Sequence, residues 1–423
     1  KAIRIMAPFF QKPNTDTSRG IVGVLGHSHM DTAWLWEIDE TIKKCARTFS
    51  NQLSLMERYP EYHFIQSSSC HLRMMETHYP KLFERIAARI KEGRYEPNGG
   101  SWIECDCNIT GGEFMIRQFL WGQNYTKKHF GYLSNAFYLP DTFGYSASIP
   151  QILKGVGIDY FLTTKLSWNG VNKFPYASFR WQGIDGSEVL AHMPPEGNYN
   201  PAARADSFAK AVSGSPEKKI FPGAMLLYGI GDGGGGPGME HLERLSREKD
   251  LYGLPKVKQG FGEDFFRELA PCKAKLPSWK GELYLEKHQG TYTTQGRTKK
   301  GNRLCEKYFH EIELLACIDD TIHQTQNGNA TSLLFRMELG SQAILWTADA
   351  GCSYARLDER YGSDLKADIL QIPHHGFQMG LAPAEIEGYR LIAPRVCFLP
   401  VSDLNAFSAF CTHREGTAFL MTD

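Results

Sequence analysis

The apolar run Val22-Gly23-Val24-Leu25-Gly26 leads straight into His27-Ser28-His29-Met30-Asp31, and this junction constrains the fold of the chain more than any other stretch. A buried strand that ends in polar residues marks the place where open α/β sheets and barrels set ligands and catalytic groups. Side chains two apart in an extended segment share a face, so His27, His29 and Asp31 can converge on one divalent ion. The plain alternative is a polar loop with two chance histidines. The rest of the chain decides between the two.

Downstream, short strands alternate with helices. The spacing predicts a helix over 37–59, a strand over 62–66, a second amphipathic helix over 71–92 and another over 112–130. Ala136-Phe137-Tyr138-Leu139 and Tyr160-Phe161-Leu162-Thr163 read as strands around a short helix over 148–156. Residues 179–192 read as a hairpin, and Ala224 to Tyr228 as a buried strand opening into a glycine run. This rhythm predicts parallel βα units. One long helix follows over 298–317, then a polar stretch without periodicity, then hairpin and strand patterns from Leu333 onward.

At 423 residues the chain exceeds the usual single domain of about 150 residues. Lysine plus arginine (47) equals aspartate plus glutamate (47), so no charge excess argues for nucleic acid or an anionic membrane. No apolar run reaches the roughly 18 residues that span a bilayer, and residues 1–19 show no signal-peptide pattern. Ten cysteines are scattered without a framework, which points to a reduced, cytoplasmic protein. The oligomeric state stays open, a homo-oligomer included.

Acidic residues sit at several predicted strand ends: Asp31, Glu104 and Asp106, Asp141, and Asp232 inside Gly231-Asp232-Gly233-Gly234-Gly235-Gly236. The glycine run lacks the Gly-Lys-Ser/Thr of a phosphate-binding loop, since Pro237 follows Gly236. Glycines around one acid suit close approach of backbone to a bulky ligand instead. Two carboxylates beside a metal suggest hydrolysis in which one acid attacks or activates water and the other protonates the leaving group. Nearby aromatics such as Trp34 and Phe143 could face a sugar ring, although core packing is the commoner fate of such residues.

The segments 27–34, 139–146, 183–190, 231–237 and 281–286 together resemble glycoside hydrolase family 38, the retaining, zinc-dependent α-mannosidases, in its cytosolic and bacterial branch. The resemblance implies an α/β fold whose catalytic domain is a seven-stranded-type, barrel-like parallel β/α array, and it covers about residues 20–317. It implies a Zn2+ cofactor held by His29, Asp31 and Asp141, with Asp141 also the nucleophile and Asp232 the general acid/base. Trp34 and Phe143 would line the substrate-binding site, and the substrate would be a mannose-containing oligosaccharide. The family's fourth zinc ligand, a His of a His-Asp pair in a helical bundle, has no match, because no His-Asp dipeptide occurs in the sequence.

The segments 345–350 and 365–376 resemble the later half of metallo-β-lactamase-like domains, with Asp349 and His374 or His375 at metal-ligand positions. The domain organisation expected is therefore a lead over 1–19, a mannosidase-like catalytic α/β domain over 20–290 and the first helix of a truncated helical bundle over 291–318. A linker over 319–332 and a β-rich, α/β metallo-β-lactamase-like partial domain over 333–423 complete it. Two other functions stay in view: a metal hydrolase of the metallo-β-lactamase type, and an inactive carbohydrate-binding remnant.

Overall fold

In a computed structural model of the chain, the first strand, β1 (Ile21–His27), is buried along nearly its whole length and has a parallel neighbour on each side. The structure describes residues 20–322 throughout. Outside that span it describes residues 4, 5, 7, 8, 14, 335–339, 342–346, 366–367, 369–371, 392, 396–399 and 418–421. The chain forms two compact units, residues 1–300 and 301–423.

In the first unit the elements alternate as the pattern predicts. After β1 come α1 (Ile38–Arg58), β2 (Phe64–Ile65), α2 (Ser69–His78), α3 (Pro80–Lys91), β3 (Tyr95–Glu96), α4 (Gly112–Phe130) and β4 (Ala136–Tyr138). Next are α5 (Ile149–Gly155), β5 (Tyr160–Leu162), the hairpin β6 (Ser178–Gln182) and β7 (Glu188–His192), α6 (Ala205–Ser213) and β8 (Gly223–Tyr228). The unit continues through α7 (Met239–Glu248), β9 (Lys256–Gln259), α8 (Gly262–Leu269), β10 (Ser278–Lys280) and α9 (Gln289–Thr293).

The single helix expected over 71–92 is two helices. Pro80 opens α3, and a proline has no N–H to continue α2 and would clash with the preceding turn. The Tyr79 N–H closes α2 on the Met75 carbonyl at 2.8 Å. The polar strand β9 escapes the pattern because Val257 alone among its residues is buried.

Strands β1, β2, β3, β8 and β9 form one parallel sheet. Strands β4, β5 and β7 form a second parallel array, extended by antiparallel β6 and by β10. Among the described residues the ladders define these two sheets rather than one closed ring. Their facing sides share a core: Leu25, Ile65 and Leu227 of the first sheet pack with Tyr138, Leu162 and Leu190 of the second. Burying such aliphatic and aromatic side chains contributes about 1.5–3 kcal/mol each. A cavity of about 300 Å³ borders this core, lined by Gly20, Ile21 and Gly223 at the starts of β1 and β8 together with Leu25 and Phe265.

The second unit holds most of α10 (Gly296–Ile322), a helix that runs four residues into the expected linker. It also holds a five-stranded sheet of β11 (Phe335–Leu339), β12 (Gln342–Trp346), β13 (Ile369–Gln371), β14 (Val396–Leu399) and β15 (Ala418–Met421). The expected hairpin is the antiparallel β11–β12 pair, and the other three pairings are parallel. Asp349, His374 and His375 lie outside the described residues.

Candidate metal and carboxylate site

His29 and Asp31 follow the end of β1, Asp141 follows β4 and Asp232 follows β8, all at C-terminal strand ends. The approach to this rim is tight. A Cβ on Gly26 would lie 2.7 Å from the His63 carbonyl oxygen, and one on Gly229 only 2.1 Å from the His27 carbonyl oxygen. Only glycine lets β2 and the loop after β8 pack so closely on β1.

His29, Asp31 and Asp141 each bring one ligand atom within 4.8 Å of the others. The imidazole Nε2 of His29 is 3.5 Å from Asp31 Oδ1 and 3.5 Å from Asp141 Oδ2. That nitrogen is buried and has no hydrogen-bond partner. An orphaned imidazole nitrogen facing two half-buried carboxylates is the donor set a divalent cation fits, and a catalytic zinc takes such nitrogen and oxygen ligands while keeping positions open. Without a cation the surrounding acids hold a proton on His29. Burial opposes that proton, but Glu104, Asp141 and Asp31 outweigh burial and raise its pKa well above the usual value.

His27 does not join the cluster. Its Nε2 donates to the Tyr199 carbonyl and its Nδ1 accepts from the Tyr138 hydroxyl at 2.9 Å. Burial lowers its pKa to about 4, so it is a neutral core residue. The period-two expectation fails here because β1 ends at His27 and the chain leaves the strand before His29.

Three residues that carried no assigned role complete the site. Glu104 Oε2 lies 2.7 Å from His29 Nδ1. The buried Lys165 ammonium, from the turn after β5, pairs with Asp141 Oδ1 and sits 3.8 Å from the centre of the Trp168 ring. Burial works to raise the Asp141 pKa, yet His29 and Lys165 overcome it and hold the carboxyl below its usual value. Tyr199 donates from its hydroxyl to Asp232 Oδ1 at 2.8 Å, and its ring meets that of His29 edge-on at 5.6 Å.

Asp232 takes a left-handed backbone (φ 60°), which aspartate tolerates better than most residues. Its carbonyl accepts the Asp31 N–H at 2.8 Å, and Met30 bridges Gly233, so the glycine loop is stitched to the chain carrying the cluster. Burial, then the charges of Asp141, Asp232 and Asp31, push the Tyr199 phenol up.

Trp34 is 60% exposed and meets Trp36 edge-on, which leaves much of its ring open to solvent. Phe143 is half-buried, tilted against His288 at 4.5 Å. The 281–286 segment supports rather than lines the site. Leu283 pairs with Tyr145, and Glu286 accepts the Val171 and Asn172 N–H groups at 2.8 Å.

Of the missed residues, Glu104 had a signal as an acid near a strand end. Lys165 had a fainter one, a lone charge in the run Phe161-Leu162-Thr163-Thr164-Lys165-Leu166. Tyr199 had none, because its partner is 33 residues away.

A parallel α/β frame gathers a histidine and acids at its strand ends, where they could hold a metal ion, and comparison with known proteins assigns the family. Residues 20–282 match the glycosyl hydrolases family 38 N-terminal domain, and the chain belongs to that family. Alpha-mannosidase G of Dictyostelium discoideum is 46% identical over 307 residues, 73% of this chain and 28% of that protein. Alpha-mannosidase 2C1 of Homo sapiens is 46% identical over 301 residues, 71% of this chain and 29% of that protein. An alpha-mannosidase of Saccharomyces cerevisiae is 41% identical over 302 residues, 69% of this chain and 28% of that protein. The chain thus spans less than a third of the length of these relatives. The crystal structure of an alpha-mannosidase from Enterococcus faecalis V583 shares the fold, with a TM-score of 0.53 at 19% identity over 62% of this chain and 31% of that one.

Proposed function

We propose that the chain carries the catalytic centre of a zinc-dependent, retaining α-mannosidase acting on mannose-containing oligosaccharides. The observation that carries this reading is the convergence of His29, Asp31 and Asp141 in a family 38 domain, with the Asp232 backbone carbonyl accepting the Asp31 N–H. Asp141, kept ionised by Lys165 and His29, attacks the anomeric carbon as the glycosidic bond breaks, giving a mannosyl ester on its carboxylate. Asp232, oriented by Tyr199, protonates the departing oxygen and then takes a proton from the water that hydrolyses the ester. These two steps retain configuration, a mechanism that requires its two carboxyl groups to lie about 5–5.5 Å apart. His29, Asp31 and Asp141 would hold the zinc ion, which when bound supplies Lewis-acid stabilisation of the sugar in its oxocarbenium-like transition state. Trp34 and Phe143 flank the sugar.

The free thiols of Cys45, Cys70, Cys105, Cys107, Cys272 and Cys305 support a cytoplasmic setting. Among the described residues no helix is long and apolar enough to cross a membrane. The domain boundaries at 290, 318 and 332 remain part of this proposal, and so does the metallo-β-lactamase-like character of residues 333–423, supported by the mixed sheet β11–β15.

The test is release of an aryl α-mannoside by the full chain. Turnover that disappears on chelation and returns with zinc supports the reading. Turnover indifferent to chelator refutes the metal, and no turnover with zinc bound assigns catalysis to a longer polypeptide than this one.

A further inference from the structure

We propose that Glu104, anchored by Ser67, is the positioning residue that makes His29 a metal donor through Nε2; the inference rests on the metal site proposed above. The contact is built into the fold. Glu104 and His29 are buried side chains, 8% and 5% exposed, and the carboxylate Oε2 is 2.7 Å from Nδ1. The other carboxylate oxygen, Oε1, accepts from the Ser67 hydroxyl, and the Glu104 N–H donates to the Ser68 hydroxyl at 3.1 Å. Ser67 and Ser68 follow β2 after a single residue, Gln66, so the strand beside β1 leads to the serines that hold the glutamate facing His29.

A neutral imidazole carries its proton on one nitrogen only, and a metal needs the lone pair of the other. With the proton on Nε2, the Nδ1 lone pair would face an anionic oxygen 2.7 Å away in a dry setting, which is repulsive. With the proton on Nδ1, that oxygen at 2.7 Å is the anionic group facing it, a favourable charge contact, and the Nε2 lone pair opens between Asp31 and Asp141. Glu104 thereby selects the tautomer, sets the ring orientation and raises the basicity of the donor nitrogen, as carboxylates behind metal-bound histidines do. Tyr199 packs edge-on against the ring and limits its rotation. Asp106, two residues on, is engaged otherwise: its Oδ1 accepts the Asn108 and Ile109 N–H groups at 2.8 and 2.6 Å.

The experiment measures zinc affinity of the full chain by competition with a chromophoric chelator, alongside the melting temperature of each metal-free protein. Glu104→Ala is expected to bind zinc about 10–100-fold more weakly than the parent. Glu104→Gln keeps an oxygen that accepts from Nδ1–H and is expected to recover most of that loss. If Glu104→Ala does not fold, Ser67→Ala carries the test, since it frees the carboxylate from its anchor and is expected to weaken zinc binding several-fold. Unchanged zinc affinity in a folded Glu104→Ala protein, or in Ser67→Ala when that variant stands in, overturns the proposal. So does a lowered metal-free melting temperature with unchanged affinity, which is the mark of a purely structural contact. Equal losses in the Ala and Gln variants also overturn it. A parent chain that takes up no zinc overturns the metal site itself and this inference with it, an outcome separable from the others because it appears before any substitution is made.

Discussion

Asp141 at the strand-end rim and Glu96 at the end of β3 are both acids withdrawn from water, and their ionisation is driven in opposite directions. Burial disfavours the charged form of each. At Asp141 the penalty is overcome by His29 and by the buried Lys165, so the carboxyl stays below its ordinary pKa. At Glu96 no cation is among the groups that shift it. Asn98 and Tyr132 donate hydrogen bonds at 2.9 and 3.0 Å, but the Glu263 carboxylate adds repulsion, and the pKa is pushed up to about 8. Glu96 and Glu263 share the Tyr132 hydroxyl, and Glu263 also accepts the Asn135 N–H just ahead of β4. The second cluster therefore ties the two sheets together. Burial alone does not decide which of these two acids stays ionised; the supply of positive charge does.

Removing the charge from Asp141 breaks the comparison most severely. Asp141→Asn removes the carboxylate proposed to attack, and aryl α-mannoside turnover is expected to fall at least about 10³-fold while circular dichroism stays that of the parent. Turnover within a few-fold of the parent would remove Asp141 from the nucleophile role.

Removing the cation comes next. Lys165→Met leaves the Asp141 carboxylate without its ammonium partner, a substitution that typically costs about 3 kcal/mol when the pair is buried. Lys165 is 3% exposed and Asp141 16%, so burial applies more fully to the lysine end. The rate is expected to fall by less than in Asp141→Asn, because the carboxylate proposed as nucleophile remains. Urea unfolding of both single variants and the double variant measures the coupling; the double variant should recover part of the Lys165→Met loss. Strict additivity would show that the ammonium does not sustain the charge on Asp141.

The frame of this site is legible in the sequence because its signals are local. The apolar run before His27 makes β1, and the run from Ala224 makes β8. Family motifs name His29, Asp31, Asp141 and Asp232. What escapes is long-range. Lys165 meets Asp141 across 24 residues, Glu104 meets His29 through a loop rather than a strand end, and Tyr199 reaches Asp232 from a segment without periodicity. His27 fails the opposite way: its spacing fits a ligand, but Tyr138 and the Tyr199 carbonyl claim both ring nitrogens. Pro80 was readable as a helix breaker, and the strong apolar periodicity on either side hides it.

The smallest expected effect on rate falls at Glu96, where the comparison is sharpened rather than broken. The folded-state pKa of about 8 lies above that of the unfolded chain, near 4.5. Below pH 4.5 both states hold the proton and Glu96 contributes no pH dependence. As pH rises from there toward 8, the unfolded chain ionises while the folded one keeps its proton, so folding stability declines; above 8 the decline levels off. Glu96→Gln keeps an oxygen for Asn98 and Tyr132 but cannot ionise, so it is expected to flatten this part of the stability curve. Turnover should stay within about twofold of the parent, because the residue makes no contact with the acids of the rim. Urea midpoints collected between pH 5 and 8 provide the measurement. An unaltered slope in the variant would mean that Glu96 is already ionised in the folded protein, and that burial without a neighbouring cation does not keep a carboxyl neutral here.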